Sequence, residues 1–438
     1  DPGVLLFAAG VGVAAAFAVG ILPALRATRG DLRTVLAEGG RTTSGEGRRL
    51  HRSFVAVQVA LAAVLLGGAT LTLRSFSALN SVDPGFPVDG LVTARMTLGG
   101  ARYRDDGTAA AFFHELATRL RALPEVSGAG ATLRLPLEGS AWTSQFFIEA
   151  QPEFKGTELR HKAVTPGYLE ALGVRLVAGR TIEATDRSDA PAVVVINETL
   201  ARKHFAGVNP IGQRIALDPP GPKVAWRTVV GVVGDERQDG LGVAVRPEVY
   251  DSIFQEESSD LAVAVRSGKP VEQVIADIRR TVRDLDPQIA VFDAGAFGDR
   301  LERSMLGERV AAWLAAVFAV IGLVLSAVGT YGIAARAVIA RTREIGVRVA
   351  CGATARDVFR MILRDHLRVA ALGLLVGVPL VLLSAQVLVS LLYGVTALDP
   401  VSLVASVALP LGAAGVACVV PARRALRVNP VSALKADG

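Results

Sequence analysis

Five stretches of this chain are apolar for long enough to cross a lipid bilayer, near 4–22, 54–73, 310–333, 369–392 and 401–420. A crossing takes about 20 helical residues. Hydrocarbon offers the backbone no hydrogen-bond partners, so each such stretch has to be a helix. Composition agrees, with 51% of the 438 residues hydrophobic but only 5% aromatic, too apolar for an ordinary soluble protein. The expected fold class is a membrane protein: an α-helical bundle of five spans with one large polar α/β (α+β) domain.

Basic residues orient the spans. The loop after the first run carries Arg26, Arg29, Arg33, Arg41, Arg48, Arg49 and Arg52 against three acids, and 336–368 carries eight arginines against three acids. Arg423, Arg424, Arg427 and Lys435 follow the last run, whereas 393–400 has no basic residue. The positive-inside rule then places both arginine loops and the C-terminus in the cytoplasm, and residue 1, the loop near 395 and the region of about 75–305 outside. The net charge of +6 thus reads as topology, not as a nucleic-acid surface. Neither cysteine, Cys351 nor Cys418, falls in the outer region, so no disulfide framework is expected there. The spans contain Gln58, Ser326, Thr330, Ser384 and Gln386 but no centrally placed Asp, Glu, Lys or Arg, which argues against a proton- or sodium-coupled carrier. Gly373 and Gly377, one turn apart, would let helices approach closely.

The two ends of the chain repeat each other at an offset of 398 residues. Asp1-Pro2 matches Asp399-Pro400, Pro23-Ala24 matches Pro421-Ala422, and Arg26, Ala27, Arg29 and Leu36 match Arg424, Ala425, Arg427 and Leu434. Asp-Pro suits a helix start, the acid capping and the proline at the first helical position. The expectation is that the chain, which opens on Asp1 without a leader, is cut from a longer polypeptide. Its first part, 1–40, would be the last span and tail of a preceding unit. Then come a linker and first span (41–75), an outer domain (76–305) and a three-span domain (306–438).

In the outer region, period-2 and period-3.6 patterns predict a strand at 91–98, a helix at 107–122 and a strand at 129–135. A second such group follows at 261–265, 271–285 and 290–292. Two β-α-β units around a middle part imply a split subdomain with an insertion at about 140–250. Strands are expected there at 192–196 and 228–233, with Asn197 capping a helix at 198–205 and an exposed loop over the Pro- and Gly-rich 208–222.

No catalytic constellation emerges. The chain lacks G-x-x-x-x-G-K-[ST], so no P-loop cradles a nucleotide; its one Gly-Lys pair, Gly268-Lys269, precedes Pro270. His114-Glu115 opens like a zinc motif but has Thr118 where the second histidine belongs. Asp105 and Asp106 read as solvated turn residues. No enzyme, metal or cofactor is expected.

One basic segment stands out, TREIGVRVACGA at 342–353. Glu344 and Arg348 sit four apart, as do Ile345 and Val349, the spacing of a short helix with an ion-paired edge and an apolar edge. Tethered between spans, it could dock into a groove on a soluble partner; an arginine-rich loop that fixes topology and touches anionic lipid is the plainer alternative.

With that segment and this layout, the chain from about 50 to 438 resembles the MacB/FtsX-like permeases of ABC transporters. Thr165-Pro166-Gly167-Tyr168-Leu169, Val195-Ile196-Asn197-Glu198, Asn209-Pro210-Ile211-Gly212 and Val229-Val230-Gly231-Val232-Val233-Gly234 look like that family's periplasmic core domain. The resemblance implies that 341–354 is a coupling segment. In it Arg343, Glu344, Ile345, Gly346, Arg348, Val349, Ala350, Gly352 and Ala353 would contact a separate ABC ATP-binding subunit, with Cys351 serving as packing. ATP-driven closure would pass to the outer domain along the helices before 54–73 and through 301–333. The implied setting is the bacterial inner membrane, with efflux or extraction from the envelope as the work. The implied partners are a first permease unit or second copy and a periplasmic adaptor. The alternative of another class is a signalling scaffold that regulates an envelope enzyme such as a wall hydrolase.

Overall fold

The computed structural model describes residues 46–103, 107–139, 142–222, 224–255 and 260–425. The first expected span, 4–22, and the N-terminal half of the repeat lie outside the described residues. The chain runs through α1 (Glu46–Asn80), β1 (Leu91–Thr97), α2 (Thr108–Arg121), β2 (Val126–Thr132), β3 (Trp142–Ile148), β4 (Thr157–Val164), α3 (Tyr168–Leu172), β5 (Leu176–Gly179) and β6 (Val193–Asn197). It continues with α4 (Glu198–His204), β7 (Arg214–Ala216), β8 (Arg227–Val233), β9 (Glu248–Ser252), β10 (Asp260–Ser267), α5 (Val271–Leu285) and β11 (Val291–Ala296). Last come α6 (Phe297–Ser304), α7 (Leu306–Ala340), α8 (Thr342–Ala350), α9 (Ala355–Val389) and α10 (Pro400–Ala425). Two compact units result, one of them Thr72–Leu314 with Leu391–Val395.

In the other, helical unit, four helices among the described residues are long and apolar enough to cross a membrane: α1, α7, α9 and α10. Val55, Val59 and Ala63 of α1 pack on Val369, Ala370, Leu374 and Val381 of α9 and on Ala414 of α10. The two backbones meet at Gly373 and Gly377. A Cβ on Gly373 would strike the Ala56 carbonyl and stand 2.9 Å from Val59 Cβ, and one on Gly377 would lie 3.0 Å from Ala60 Cα. Polar groups bond within their own helix, Thr330 Oγ1 donating to the Ser326 carbonyl at 2.8 Å and Ser384 Oγ to that of Val381 at 2.9 Å. The Asp399-Pro400 start behaves as its chemistry requires, with Asp399 Oδ2 accepting from the Ser402 backbone and hydroxyl at 2.8 and 2.7 Å. The expected helix through 301–333 is broken instead. Met305, at φ −101° and ψ 6°, ends α6 and leaves α7 to start afresh.

The α/β unit has a sheet in the order β11-β1-β10-β2-β4-β3-β7-β8-β6-β9. Its first four strands interleave the two β-α-β groups: β10 lies between β1 and β2, antiparallel to both, and β11 flanks β1. That is a ferredoxin-like split arrangement, with α2 and α5 packed on one face through Phe113, Leu116, Val274 and Ile278. The remaining pairings close into a ring, β4-β3-β7-β8-β6-β9, because β9 returns to pair with β4 in parallel. Strand β7, at 214–216, falls inside the stretch expected to be a loop; three residues are too short to show a period. Asn197 caps α4 by accepting from Leu200 N at 2.9 Å. Its Oδ1 also accepts from Glu248 N at 3.1 Å while Nδ2 donates to the Arg246 carbonyl at 2.8 Å, so one buried amide clasps β9 to β6.

Side chains alternate across the ring. Leu159 and Val249 join one apolar core, and the opposite face carries Lys162, Glu248 and Tyr250. Lys162 has no solvent contact. It is ion-paired to Glu236, lies 3.3 Å from Glu248 and donates to Gln238 Oε1 at 3.1 Å. Tyr250 adds a hydrogen bond to Glu236 at 3.1 Å. One ammonium faces two buried carboxylates, so both acids cannot comfortably ionise. Burial pushes Glu248 up to about 7, with Glu236 adding repulsion against the pull of Lys162. Lys162 is held charged: burial works against its ammonium, but Glu236 and Glu248 raise its pKa overall.

The sign of the linkage follows. Between Glu248's ordinary 4.5 and its folded value of about 7 the folded state keeps a proton that the unfolded state has released, so this group's contribution to stability falls as pH rises. Glu248→Gln should remove that decline. Glu236→Gln, which strips a fully buried lysine of its counter-charge, should cost about 3–5 kcal/mol. Thermal melting of the chain in detergent from pH 4.5 to 7.5 reads both; an unchanged pH slope in Glu248→Gln contradicts the assignment.

Candidate functional site

Only Arg341 separates α7 from α8, and its guanidinium turns back to Asp365 of α9 at 2.8 Å. The chain can therefore leave one long helix, make a nine-residue helix and enter the next with the corner tied. Ile345 is the anchor. It is 2% exposed and packs against Val338 of α7, Val358 and Ile362 of α9 and Ala422 of α10. One isoleucine thus sits where three long helices end, with Gly346 buried beside it. Ile345, counted among the coupling residues from the sequence, is thus turned inward, where it holds α8 in place.

The other edge faces out. Glu344, Val347 and Arg348 are exposed, and Arg348 Nη2 meets Glu344 Oε1 at 2.7 Å. An exposed i,i+4 pair of this kind contributes only about 0.3–0.5 kcal/mol; its larger effect is to present a fixed pattern of charge. Cys351 is exposed as well, which corrects the expectation that it packs. Gly352 terminates the helix at φ +96°, a left-handed conformation that side chains resist. There the Ala353 amide reaches back to the Arg348 carbonyl at 2.9 Å. Ala353 is half-buried. α9 then starts at once, with Asp357 Oδ2 accepting from the Thr354 amide and hydroxyl at 2.9 and 2.6 Å. The side chains of Arg343, Val349 and Ala350 lie outside what is described.

The arrangement is a short, braced ledge of mixed charge. Sequence reading missed two of its supports, the Arg341–Asp365 tie and the seat of Ile345, because both join residues that local periodicity does not connect.

Ile345→Ala should lower stability by about 2–4 kcal/mol through the cavity it leaves, whereas Val347→Ala should stay within about 0.5 kcal/mol. Thermal unfolding of the chain in detergent distinguishes them; equal effects would contradict the assignment of Ile345 as the seat.

Comparison with known proteins bears on both units. The family model described as MacB-like periplasmic core domain matches residues 53–281, and that described as FtsX-like permease C-terminal matches 316–430. The pyoverdine export ATP-binding/permease protein PvdT of Pseudomonas putida is 29% identical over 288 residues, 60% of this chain and 40% of that one. The macrolide export ATP-binding/permease protein MacB of Sodalis glossinidius is 28% identical over 341 residues, 72% of this chain and 50% of that one. The chain therefore matches about half the length of these relatives or less. The periplasmic region of MacB from Actinobacillus actinomycetemcomitans aligns with 50% of this chain at a TM-score of 0.34 and 14% identity, a likeness from which no correspondence of fold follows.

Proposed function

The chain belongs to the MacB/FtsX-like permeases of ABC transporters, and from that premise we propose that it turns ATP hydrolysis by a separate ATP-binding subunit into movement of its periplasmic domain. The work done is efflux, or extraction of a substrate from the cell envelope, by a protein of the bacterial inner membrane. The observation that carries this reading is the ledge of α8, with Glu344, Val347 and Arg348 outward and Ile345 seated against the ends of α7, α9 and α10. A push on such a ledge bears on three spans at once. Supporting it, members of the family work with ABC ATP-binding subunits. The relatives are named as exporters of pyoverdine and macrolides, which supports the outward direction and leaves the cargo open. A second permease unit or second copy, with a periplasmic adaptor, completes the assembly in this reading.

The test exploits the i,i+4 pair. Glu344→Lys combined with Arg348→Glu keeps an opposite-charge pair on the helix, so α8 survives while its outward charge pattern is inverted. Expressed in membranes with candidate ATP-binding subunits, the double variant should lose co-purification by tenfold or more, a typical cost of about 1.4 kcal/mol or above for misplacing charge at an interface. Undiminished co-purification with normal insertion would return the segment to a topological loop.

A further inference from the structure

A second site lies in the α/β unit, far along the sequence from α8. A cleft of about 460 Å³ is lined by Arg95, Arg134, Leu137, Glu138, Arg300, Arg303 and Ser304. Four guanidiniums converge there from three separate parts of the chain: β1, the turn after β2, and α6. Glu138 acts as a brace between two of them, accepting from Arg95 Nη1 at 2.8 Å and Arg300 Nη1 at 3.0 Å, and from the Leu135 amide at 3.1 Å. Asp293 braces the outer pair, 2.5 Å from Arg300 and 3.4 Å from Arg303, and Asp260 lies 3.4 Å from Arg95. Arg134 differs. Among the described residues no acid pairs with it, and its Nε is buried without a hydrogen-bond partner.

The charges do not cancel. Four cations meet three carboxylates, Glu138, Asp260 and Asp293, and the surplus charge belongs to the arginine without a counter-ion. Burial raises the cost of charge on Arg95, yet Glu138 and Asp260 hold its pKa above the ordinary value, so the guanidinium stays ionised. Backbone strain gathers at the same place. Leu137, on the lining, and Asp293, the outer brace, have φ of +66° and +46°, two of the three described non-glycine residues with positive φ. Left-handed backbone at a leucine costs energy and concentrates where a ligand site needs a fixed geometry.

Three peptide steps separate Arg303 from Leu306, where α7 and its candidate membrane span begin, so their Cα atoms are at most about 11 Å apart. The α6 wall of the cleft thus lies close in sequence to the start of a candidate span. Guanidiniums bind phosphate by paired, charge-assisted hydrogen bonds.

We propose that this cleft binds an oxyanion, a phosphate carried on an anionic phospholipid headgroup or free in solution, with Arg134 and Arg303 as its chief contacts. Calorimetric titration of the full chain in neutral detergent tests it, using dihexanoylphosphatidylglycerol, inorganic phosphate and, as a neutral control, dihexanoylphosphatidylcholine. Saturable binding of the phosphatidylglycerol is expected, weakened about tenfold or more in Arg134→Gln and in Arg303→Gln. It should be unchanged in Arg119→Gln, an exposed arginine paired to Glu115 on α2. Removing Arg134 breaks no ion pair, so its variant should melt as the parent does, and Arg303→Gln provides an independent reading. If inorganic phosphate binds as tightly and is lost in the same variants, the oxyanion site stands and the lipid source falls. Absence of saturable binding by either anion, or equal affinity in Arg134→Gln and Arg119→Gln, overturns the proposal. The outcome is independent of whether α8 docks an ATP-binding subunit.

Discussion

A peptide group in hydrocarbon has nothing to bond to but its own helix, and that constraint organises the molecule. It forces the spans into long unbroken helices and keeps their interiors free of ionised groups. It also drives the arginines that flank the spans to their ends, where water and headgroups solvate them. α1 and α7, at 35 residues each, extend about 52 Å, well beyond a hydrocarbon core of about 30 Å. The surplus turns are what the rest of the chain builds on. At one end α1 and α7 contribute their last and first turns to the α/β unit; at the other, α7 hands over to the ledge.

Two kinds of contact then give the units their definition. Within the helical unit it is close backbone approach, at Gly373 and Gly377 against α1, because lipid tails supply no hydrophobic incentive for helices to associate and dispersion contact has to do so. Within the α/β unit it is the reverse: a fully buried lysine between two carboxylates, on the face of the ring that looks away from its aliphatic core. Such a cluster adds little net stability but penalises mispairing of β4 and β9, since any shift of register would bury a charge alone.

Much of this was legible in the chain. The helix at 271–285 has the bounds that its periodicity dictates, and Asn197 caps the helix it was expected to cap. Both signals are local, and local rules act within a few residues. What escaped was non-local. Nothing in 214–216 announces a strand, and no pattern reveals that β9 closes a ring on β4. Lys162 lies 74 residues from Glu236 and further still from Glu248, so its meeting with them is a property of topology. At the ledge, spacing told correctly which residues share a helical edge. It could not tell that the edge holding Ile345 is turned inward, because burial against Val338, Val358 and Ala422 depends on helices that begin or end far away. The arginine cleft was hidden for the same reason, its walls running from Arg95 to Ser304.

The central claim is that the outward edge of α8 is where an ATP-binding subunit docks. The most direct measurement places a photo-crosslinking amino acid at Val347, which is 45% exposed, and separately at Ile345, which is 2% exposed, in membranes that contain the ATP-binding subunit. The account predicts a covalent adduct between the subunit and the Val347 position, with none from Ile345. Crosslinks from Val347 to lipid alone, or equal yields from the two positions, would contradict it.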